Sequence, residues 1–337
     1  MRSLIVGSGA IGGTTAAFLT EAGEDITLLC HREETAQNLR ESGLRITGKC
    51  GEKQVRLSAV GSPEALSGSF DYIMIVTKAY DMPRAAESVL PWLAEDGLMV
   101  SVQNGMCIDE LAAIAGKARS AACIVSFSAT FVEDGHVDFT GEGGYLIGRV
   151  NNAVDEKLLT LAACLSKAAP AQTTNRIMDH IYSKLIINAC ITCGGAFTGQ
   201  TLGQMLKTKT ARQFFLAICR EALAVADATG LQVPPLAGKV DYHRLIRGDG
   251  MISRIRRYLV FRVMGSTYKN LTSSSLTALR RGKQTEIEYL NGYIARMGRQ
   301  HGVPTPVNDA VVAMGEEMES GLRQPAPENL ALLLSQR

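Results

Sequence analysis

At 337 residues, 46% hydrophobic and 20% charged, the chain is long enough to bury two sizeable cores, and its composition excludes a disordered, collagenous or disulfide-scaffold protein. A formal net charge of +2 singles out no polyanionic partner, and no apolar run reaches the roughly 18 residues of a membrane span. The opening MRSLIVGSGA lacks the apolar stretch of a secretion signal, and the eight cysteines follow no framework of spacings, so the expectation is a cytoplasmic protein with reduced, buried thiols.

The first predicted element is a short apolar strand, Leu4 to Val6, followed by Gly7, Gly9 and Gly12 in GxGxxG spacing and then by a helix of small residues. Gly7 permits the tight turn, Gly9 lets backbone approach a pyrophosphate, and Gly12 lets helix pack on strand, with Ser8, Ala10 and Ile11 completing the loop. The helix start offers N–H groups and a positive dipole end to the phosphates. The second strand, DITLLCHR, ends in Cys30, His31 and Arg32. An acid at this place binds a ribose 2′-hydroxyl, whereas a cation suits a 2′-phosphate, so Arg32 favours NADP(H). The competing arrangement leaves Arg32 in solvent and gives the hydroxyl to Glu33 or Glu34.

Two further apolar strands run into polar ends, FDYIMIVTKAYD into Thr77 and Lys78, and GLMVSVQNG into Gln103 and Asn104. In an open parallel sheet the ligand lies beyond the carboxyl ends of strands, which points Lys78 and Asn104 at the site. The strand-rich stretch ACIVSFSATFVEDGHVDFTGEGGYLIGRV carries turn signals at Asp134-Gly135 and Gly143-Gly144 and is expected to complete the sheet with antiparallel pieces; His136 reads as structural. The expected architecture is α/β: an N-terminal Rossmann-type doubly wound sheet over residues 1–172, binding NADP, and an all-helical C-terminal domain over residues 173–337, carrying substrate and catalysis.

The helical half opens with DHIYSKLIINACITCGG, where Lys184, Asn188 and Thr192 recur every fourth residue and so form a polar stripe on an otherwise apolar helix. Cys190 and Cys193 make a CxxC with no second pair or nearby histidine, which reads as packing, and no metal site is expected. Further helices are expected from near Thr210 to Gly230, within a basic segment, from near Ser273, from Thr285, and over Asn308 to Ser320. The basic segment holds seven cations from Arg244 to Lys269 against one acid, Asp249. It reads either as a solvated helix face or as part of an anion-attracting cleft; no recognition motif for nucleic acid accompanies it. TEIE, Thr285 to Glu288, has the form of a capping box with Glu286 in the first turn, and Ser274 lies at the preceding helix start.

GSGAIGG, VTKAYD, SVQNG, KLIINA and RRGKQTEIEYLNG followed by TPVN, in this order over nearly the whole chain, resemble the ketopantoate reductase (2-dehydropantoate 2-reductase) family. The resemblance implies NADPH-dependent reduction of ketopantoate to pantoate in pantothenate and coenzyme A biosynthesis. It places Gly7, Gly9, Gly12 and Arg32 at the cofactor, with Lys78 and Asn104 at the border with a small 2-oxo acid. Lys184 becomes the catalytic lysine, Asn188 and Ser274 substrate ligands, and Glu286 the carboxylate that keeps the ammonium charged in a dry cleft. Three features depart from the pattern. Thr192 stands where the family commonly has asparagine, Ser275, Leu276, Thr277 and Ala278 replace a Met and Gln-Asp pattern, and the segment from Gly230 to Ser273 is longer. All three fall on the substrate side, which leaves open a related NADP-dependent reductase of another 2-oxo acid or an opine-type dehydrogenase. A non-catalytic dinucleotide sensor would be expected to lose Lys184 or Glu286, and both are present. No membrane partner is expected, and apolar positions in the helical half are compatible with a homodimer.

Overall fold

The apolar run at the amino end forms β1 (Arg2–Val6), whose Leu4 and Ile5 are fully buried. The computed structural model describes residues 1–236, 238 and 240–335. These divide into two units, one of residues 1–103 with 107–177, the other of Asn104–Met106 with the chain from Met178 onward.

In the first unit β2 (Asp25–Leu29), β5 (Ser58–Val60), β6 (Phe70–Ile75), β7 (Leu93–Ser101), β8 (Ser120–Val125), β11 (Tyr145–Arg149) and β12 (Ala171–Thr173) join β1 in an eight-stranded sheet. Its order is β12-β11-β8-β7-β6-β1-β2-β5, parallel except where β11 runs against β8. Helices α1 (Ala10–Glu21), α2 (Glu33–Glu41), α3 (Met82–Val89), α4 (Ile108–Ala115) and α5 (Glu156–Leu165) fall between strands, as parallel connections require. β1 has β2 on one side and β6 on the other, so the order reverses at its carboxyl end, and that crevice is where a doubly wound sheet binds ligand.

The hairpin expected to extend this sheet does not join it. β9 (Ser128–Glu133) and β10 (His136–Gly141) form a second sheet with β3 (Leu44–Gly48) and β4 (Lys53–Val55), in the order β4-β3-β10-β9, while β8 and β11 of the same stretch belong to the main sheet, β11 antiparallel to β8 as expected. Packing decides it: Phe139 of β10 sets its ring edge-on against Phe18 of α1, 5.6 Å between centroids, so the small sheet covers α1 instead of lengthening the large one. His136 Nε2 meets Thr47 Oγ1 at 3.0 Å, a tie between β10 and β3.

The second unit is helical: α6 (Ile177–Thr198), α7 (Leu202–Met205), α8 (Lys209–Thr229), α9 (Tyr242–Ile246), α10 (Met251–Thr267), α11 (Ser274–Arg280), α12 (Tyr293–His301), α13 (Pro306–Glu319) and α14 (Asn329–Leu334). α6 is apolar almost all round because it is buried almost all round. Tyr182, itself fully buried, donates its hydroxyl proton to Ala222 O of α8 at 2.7 Å. Gly230 ends α8 in the left-handed conformation at φ 74°.

The expected capping box does not form. Glu319 of α13 takes the place of Glu288, accepting from Thr285 N at 2.9 Å and from Thr285 Oγ1 at 2.5 Å, while Glu288 pairs with Arg296 at 3.1 Å. The chain then enters α12 through a π-helical turn, Glu288–Gly292. Such turns often occur at functional sites.

A buried polar chain crosses this unit. Cys193 Sγ donates to Asn291 Oδ1 at 2.7 Å, Asn291 Nδ2 to Asn308 Oδ1 at 2.8 Å, and Asn308 Nδ2 to Glu221 Oε2 at 2.6 Å. Glu221 also accepts the Val307 and Asn308 backbone N–H groups at 2.9 Å each, capping the start of α13. Burial pushes the Glu221 carboxyl above its usual range, and these donors oppose the shift. Asn308→Ala leaves Asn291 and Glu221 short of partners and should destabilise the fold by about 2–3 kcal/mol. The urea midpoint checks this, and an unchanged midpoint would mean that the chain is not structural.

All eight cysteines are free, and no cluster of three or more His, Cys, Asp or Glu side chains suited to a metal occurs among the described residues. Burial raises the Cys193 thiol well above its ordinary value, which agrees with a packing role for the CxxC pair. Among the described residues no helix is long and apolar enough to cross a membrane.

Candidate active site

The glycine turn follows β1 at the switch point. Gly7 has φ +115°, and a β-carbon there would lie 3.0 Å from the Val76 carbonyl oxygen of the neighbouring strand end. A β-carbon on Gly12 would come within 2.0 Å of Gly7 O, so α1 can approach the turn only without a side chain there. Gly9 differs, since a β-carbon on it would meet nothing within 4 Å. Gly9 is also the N-cap of α1 and supplies no side-chain bond, which leaves the helix's first N–H groups for a ligand; Ser8, Ala10 and Ile11 surround it half-buried. Close packing beneath and open space above suit a pyrophosphate passing over the backbone.

One group in this crevice was not singled out by sequence. Thr77 follows the end of β6, its backbone N lies 3.3 Å from the same hypothetical Gly7 β-carbon, and its Oγ1 is buried without a hydrogen-bond partner among the described residues. A buried unpaired hydroxyl is costly unless a ligand completes it. The sequence signal was the polar residue just past an apolar strand, the same one that pointed to Lys78. Lys78 itself is exposed at the start of a short 3-10 turn. Gln103 proves structural: its Nε2 donates to Ile75 O at 2.8 Å and to Thr77 O at 3.2 Å, and its Oε1 accepts from Ser101 Oγ at 2.6 Å, tying β6 to β7.

Arg32 stands just past β2 as the extended N-cap of α2, half-exposed and paired with Asp134 of the β9–β10 turn. Of the two acids that could have replaced it, Glu34 is an exposed residue in the first turn of α2 and Glu33 is committed elsewhere. Glu33 Oε2 accepts Gly61 N at 2.9 Å and Oε1 pairs with Arg40 at 2.7 Å, and that guanidinium holds the Glu33 carboxyl below its usual range.

In the helical unit, Lys184 and Asn188 are half-buried and Thr192 is buried, one turn apart along α6. Around the lysine, Leu185 and Ile186 are almost completely enclosed and Ile181 and Ile187 nearly so. Asn104–Met106, the loop after β7, groups with this unit. Gly105 has φ +94°, and a β-carbon on it would sit 2.6 Å from Tyr289 O, so the Asn104 loop lies against the π turn that begins two residues after Glu286. Glu286 is 6% exposed.

Ser273 caps α11, its Oγ accepting Leu276 N at 3.0 Å, and a β-carbon on Gly195 would lie 2.8 Å from its Cβ, so α11 starts against the carboxyl-terminal part of α6. Ser274 is the exposed first residue of that helix. Ser275, which sequence treated only as a departure, is 2% exposed with its Oγ unpartnered among the described residues. The unit thus carries an amine and amide on α6, the Asn104 loop beside the turn after Glu286, and two hydroxyls at the start of α11. The arginines of the basic segment line cavities of their own, and none of Lys184, Asn188, Thr192, Ser274 or Glu286 is among the lining residues of those cavities.

Residues 3–152 match the family model described as Ketopantoate reductase PanE/ApbA, and residues 176–319 match its C-terminal counterpart. The 2-dehydropantoate 2-reductase of Archaeoglobus fulgidus is 27% identical over 324 residues, covering 95% of this chain and 99% of its own length. That of Aquifex aeolicus is 25% identical over 323 residues, covering 95% and 97%. Among solved structures, a PanE/ApbA family ketopantoate reductase from Ralstonia eutropha JMP134 matches with TM-score 0.82 and 28% identity, covering 95% of this chain and 99% of that one. D-mandelate dehydrogenase in ternary complex with NADH and anilino(oxo)acetate also reaches 0.82, at 22% identity over 96% and 99%, a likeness of fold.

Proposed function

Because the chain belongs to the ketopantoate reductase family, we propose that it reduces a 2-oxo acid with NADPH, converting 2-dehydropantoate to pantoate for pantothenate and coenzyme A biosynthesis. The observation that carries this reading is Lys184, a half-buried amine on a helix whose neighbouring positions are buried and apolar, in the same unit as the buried carboxylate Glu286. Holding an ammonium partly out of water among apolar neighbours costs free energy unless it is compensated, so an amine in such a place points to chemistry more than to stability.

The Gly7–Gly12 turn and the free N–H groups of α1 would hold the pyrophosphate, Thr77 Oγ1 would complete its hydrogen bonding with the same ligand, and Arg32 would turn from Asp134 to the 2′-phosphate. The bound nicotinamide supplies a hydride to the keto carbon. Lys184 aims its ammonium at the keto oxygen, stabilises the negative charge that grows there, and gives up the proton that completes the hydroxyl. Glu286 offsets the cost of keeping that ammonium away from water. Asn104, Asn188, Thr192 and Ser274 hold the substrate's carboxylate and polar groups, and NADPH, a proton and the 2-oxo acid become NADP⁺ and the 2-hydroxy acid.

A different 2-oxo acid is the second reading, favoured by Thr192, whose hydroxyl offers one donor and less reach than an amide, and by the Ser275 to Ala278 stretch at the start of α11. The same fold in D-mandelate dehydrogenase holds anilino(oxo)acetate. The deciding experiment ranks kcat/KM with NADPH over 2-dehydropantoate and a panel of aliphatic and aryl 2-oxo acids. 2-Dehydropantoate first supports the pantoate reaction. Another acid first keeps the chemistry and reassigns the substrate; tight NADPH binding with no turnover on any acid would point to a sensor.

A further inference from the structure

Between α8 and α10 lies a cavity of about 490 Å³ into which Lys209, Arg212, Arg220, Arg254 and Arg257 all face. Two of these cations have structural tasks. Arg257, 8% exposed, donates to Leu245 O and Ile246 O at 3.0 Å each and so holds the end of α9, and Arg212 donates to Leu206 O and Lys207 O at 2.8 Å each. Lys209, Arg220 and Arg254 are exposed on the rim. The only acid paired with this group among the described residues is Asp249, 3.9 Å from Arg220, 3.5 Å from Arg257 and 88% exposed in its side chain. Like charges converging on one recess repel, and so exposed a counter-charge offsets little of that.

The recess is more than a charge cluster. Its floor is Leu216 and the buried ring of Phe261, and Tyr258 stands at its edge, half-exposed, with the Arg212 guanidinium 5.7 Å from its ring centroid. A tyrosine backed by a cation is a stacking platform for a planar ring. A second cavity of about 370 Å³ shares Arg212, Tyr258 and Phe261 and continues along α10 to Lys207, Arg262 and Lys269. The whole is a groove of cations divided by one aromatic ring.

We infer that this groove binds a nucleoside diphosphate or triphosphate, the phosphates among Lys209, Arg220 and Arg254 and the base against Tyr258, at a site separate from the glycine turn. A membrane surface is the rival, since Met251, Ile252, Ile255, Leu259 and Val263 form an exposed apolar ridge on α10. The groove favours the nucleotide because five cations converge on one recess with an aromatic edge, a shape that serves a discrete ligand better than a flat lipid surface.

The test is calorimetric titration of ADP, and separately of inorganic pyrophosphate, into enzyme saturated with NADPH so that the glycine turn is filled. Wild type binds both. Lys209→Gln combined with Arg254→Gln weakens both by about tenfold or more with turnover unchanged, and Tyr258→Ala weakens ADP while sparing pyrophosphate. Equal ADP affinity in wild type and the double variant overturns the site. So does a protein that ignores ADP yet sediments with phosphatidylserine vesicles, which assigns the face to a membrane.

Discussion

Replacing Lys184 by alanine should lower kcat by about a thousandfold or more while leaving NADPH affinity nearly unchanged. The size follows from losing two effects at one atom, the charge that meets the developing oxyanion and the proton that completes the alcohol, each worth about a hundredfold or more. The selectivity follows from placement. Lys184 lies on α6 in the helical unit, whereas the turn, the free helix start and Thr77 belong to the sheet unit. Steady-state kinetics with a fluorescence titration of NADPH separates the two quantities. Comparable loss of both would mean that Lys184 supports the fold or the cofactor, and unimpaired turnover would remove it from the mechanism. Alanine introduces no strain in a helix, and the thermal midpoint measured beside the kinetics separates lost chemistry from a weakened fold.

Arg32→Ala should raise KM for NADPH by about 10- to 100-fold and leave KM for NADH almost unaltered, because a hydrogen bond between charged groups contributes about 1.5–3 kcal/mol and only NADPH carries the 2′-phosphate. Glu33 cannot readily take over the adenosine ribose, since its carboxylate is held by Gly61 N and Arg40. The Asp134 pairing adds a check: Asp134→Ala releases Arg32 and should tighten NADPH modestly. Parallel losses for both cofactors in Arg32→Ala would show that the side chain positions α2 instead of reading a phosphate.

What could be read from sequence was whatever depends on a few consecutive residues. The glycine turn was legible because each requirement, positive φ at Gly7 and the approach of α1 at Gly12, is met within one loop. The Lys184 stripe was legible because helical spacing puts Asn188 and Thr192 on its face. What failed was decided at long range. Glu319 displaced Glu288 as the partner of Thr285 from 34 residues away, and β10 left the main sheet to pair with β3, Thr47 meeting His136 across 89 residues. Neither competition leaves a trace in the local pattern. Thr77 and Ser275 stayed hidden for another reason, since lacking a partner is a property of burial and any hydroxyl looks alike in a sequence. YLNG and TPVN were visible as motifs, yet the reason their asparagines stand there, a chain from Cys193 through Asn291 and Asn308 to Glu221, required four elements to be brought together.

The central claim is that this protein passes hydride from a nicotinamide to the keto carbon of a 2-oxo acid that Lys184 polarises. Mass spectrometry of a single turnover, with NADPH deuterated at the transferring position and 2-dehydropantoate as acceptor, tests it most directly. The account predicts pantoate carrying one deuterium on its former keto carbon from the wild type, and next to none from Lys184→Ala in the same time. NADPH bound but no deuterium in any product from the wild type, with 2-dehydropantoate or the other 2-oxo acids, would contradict it.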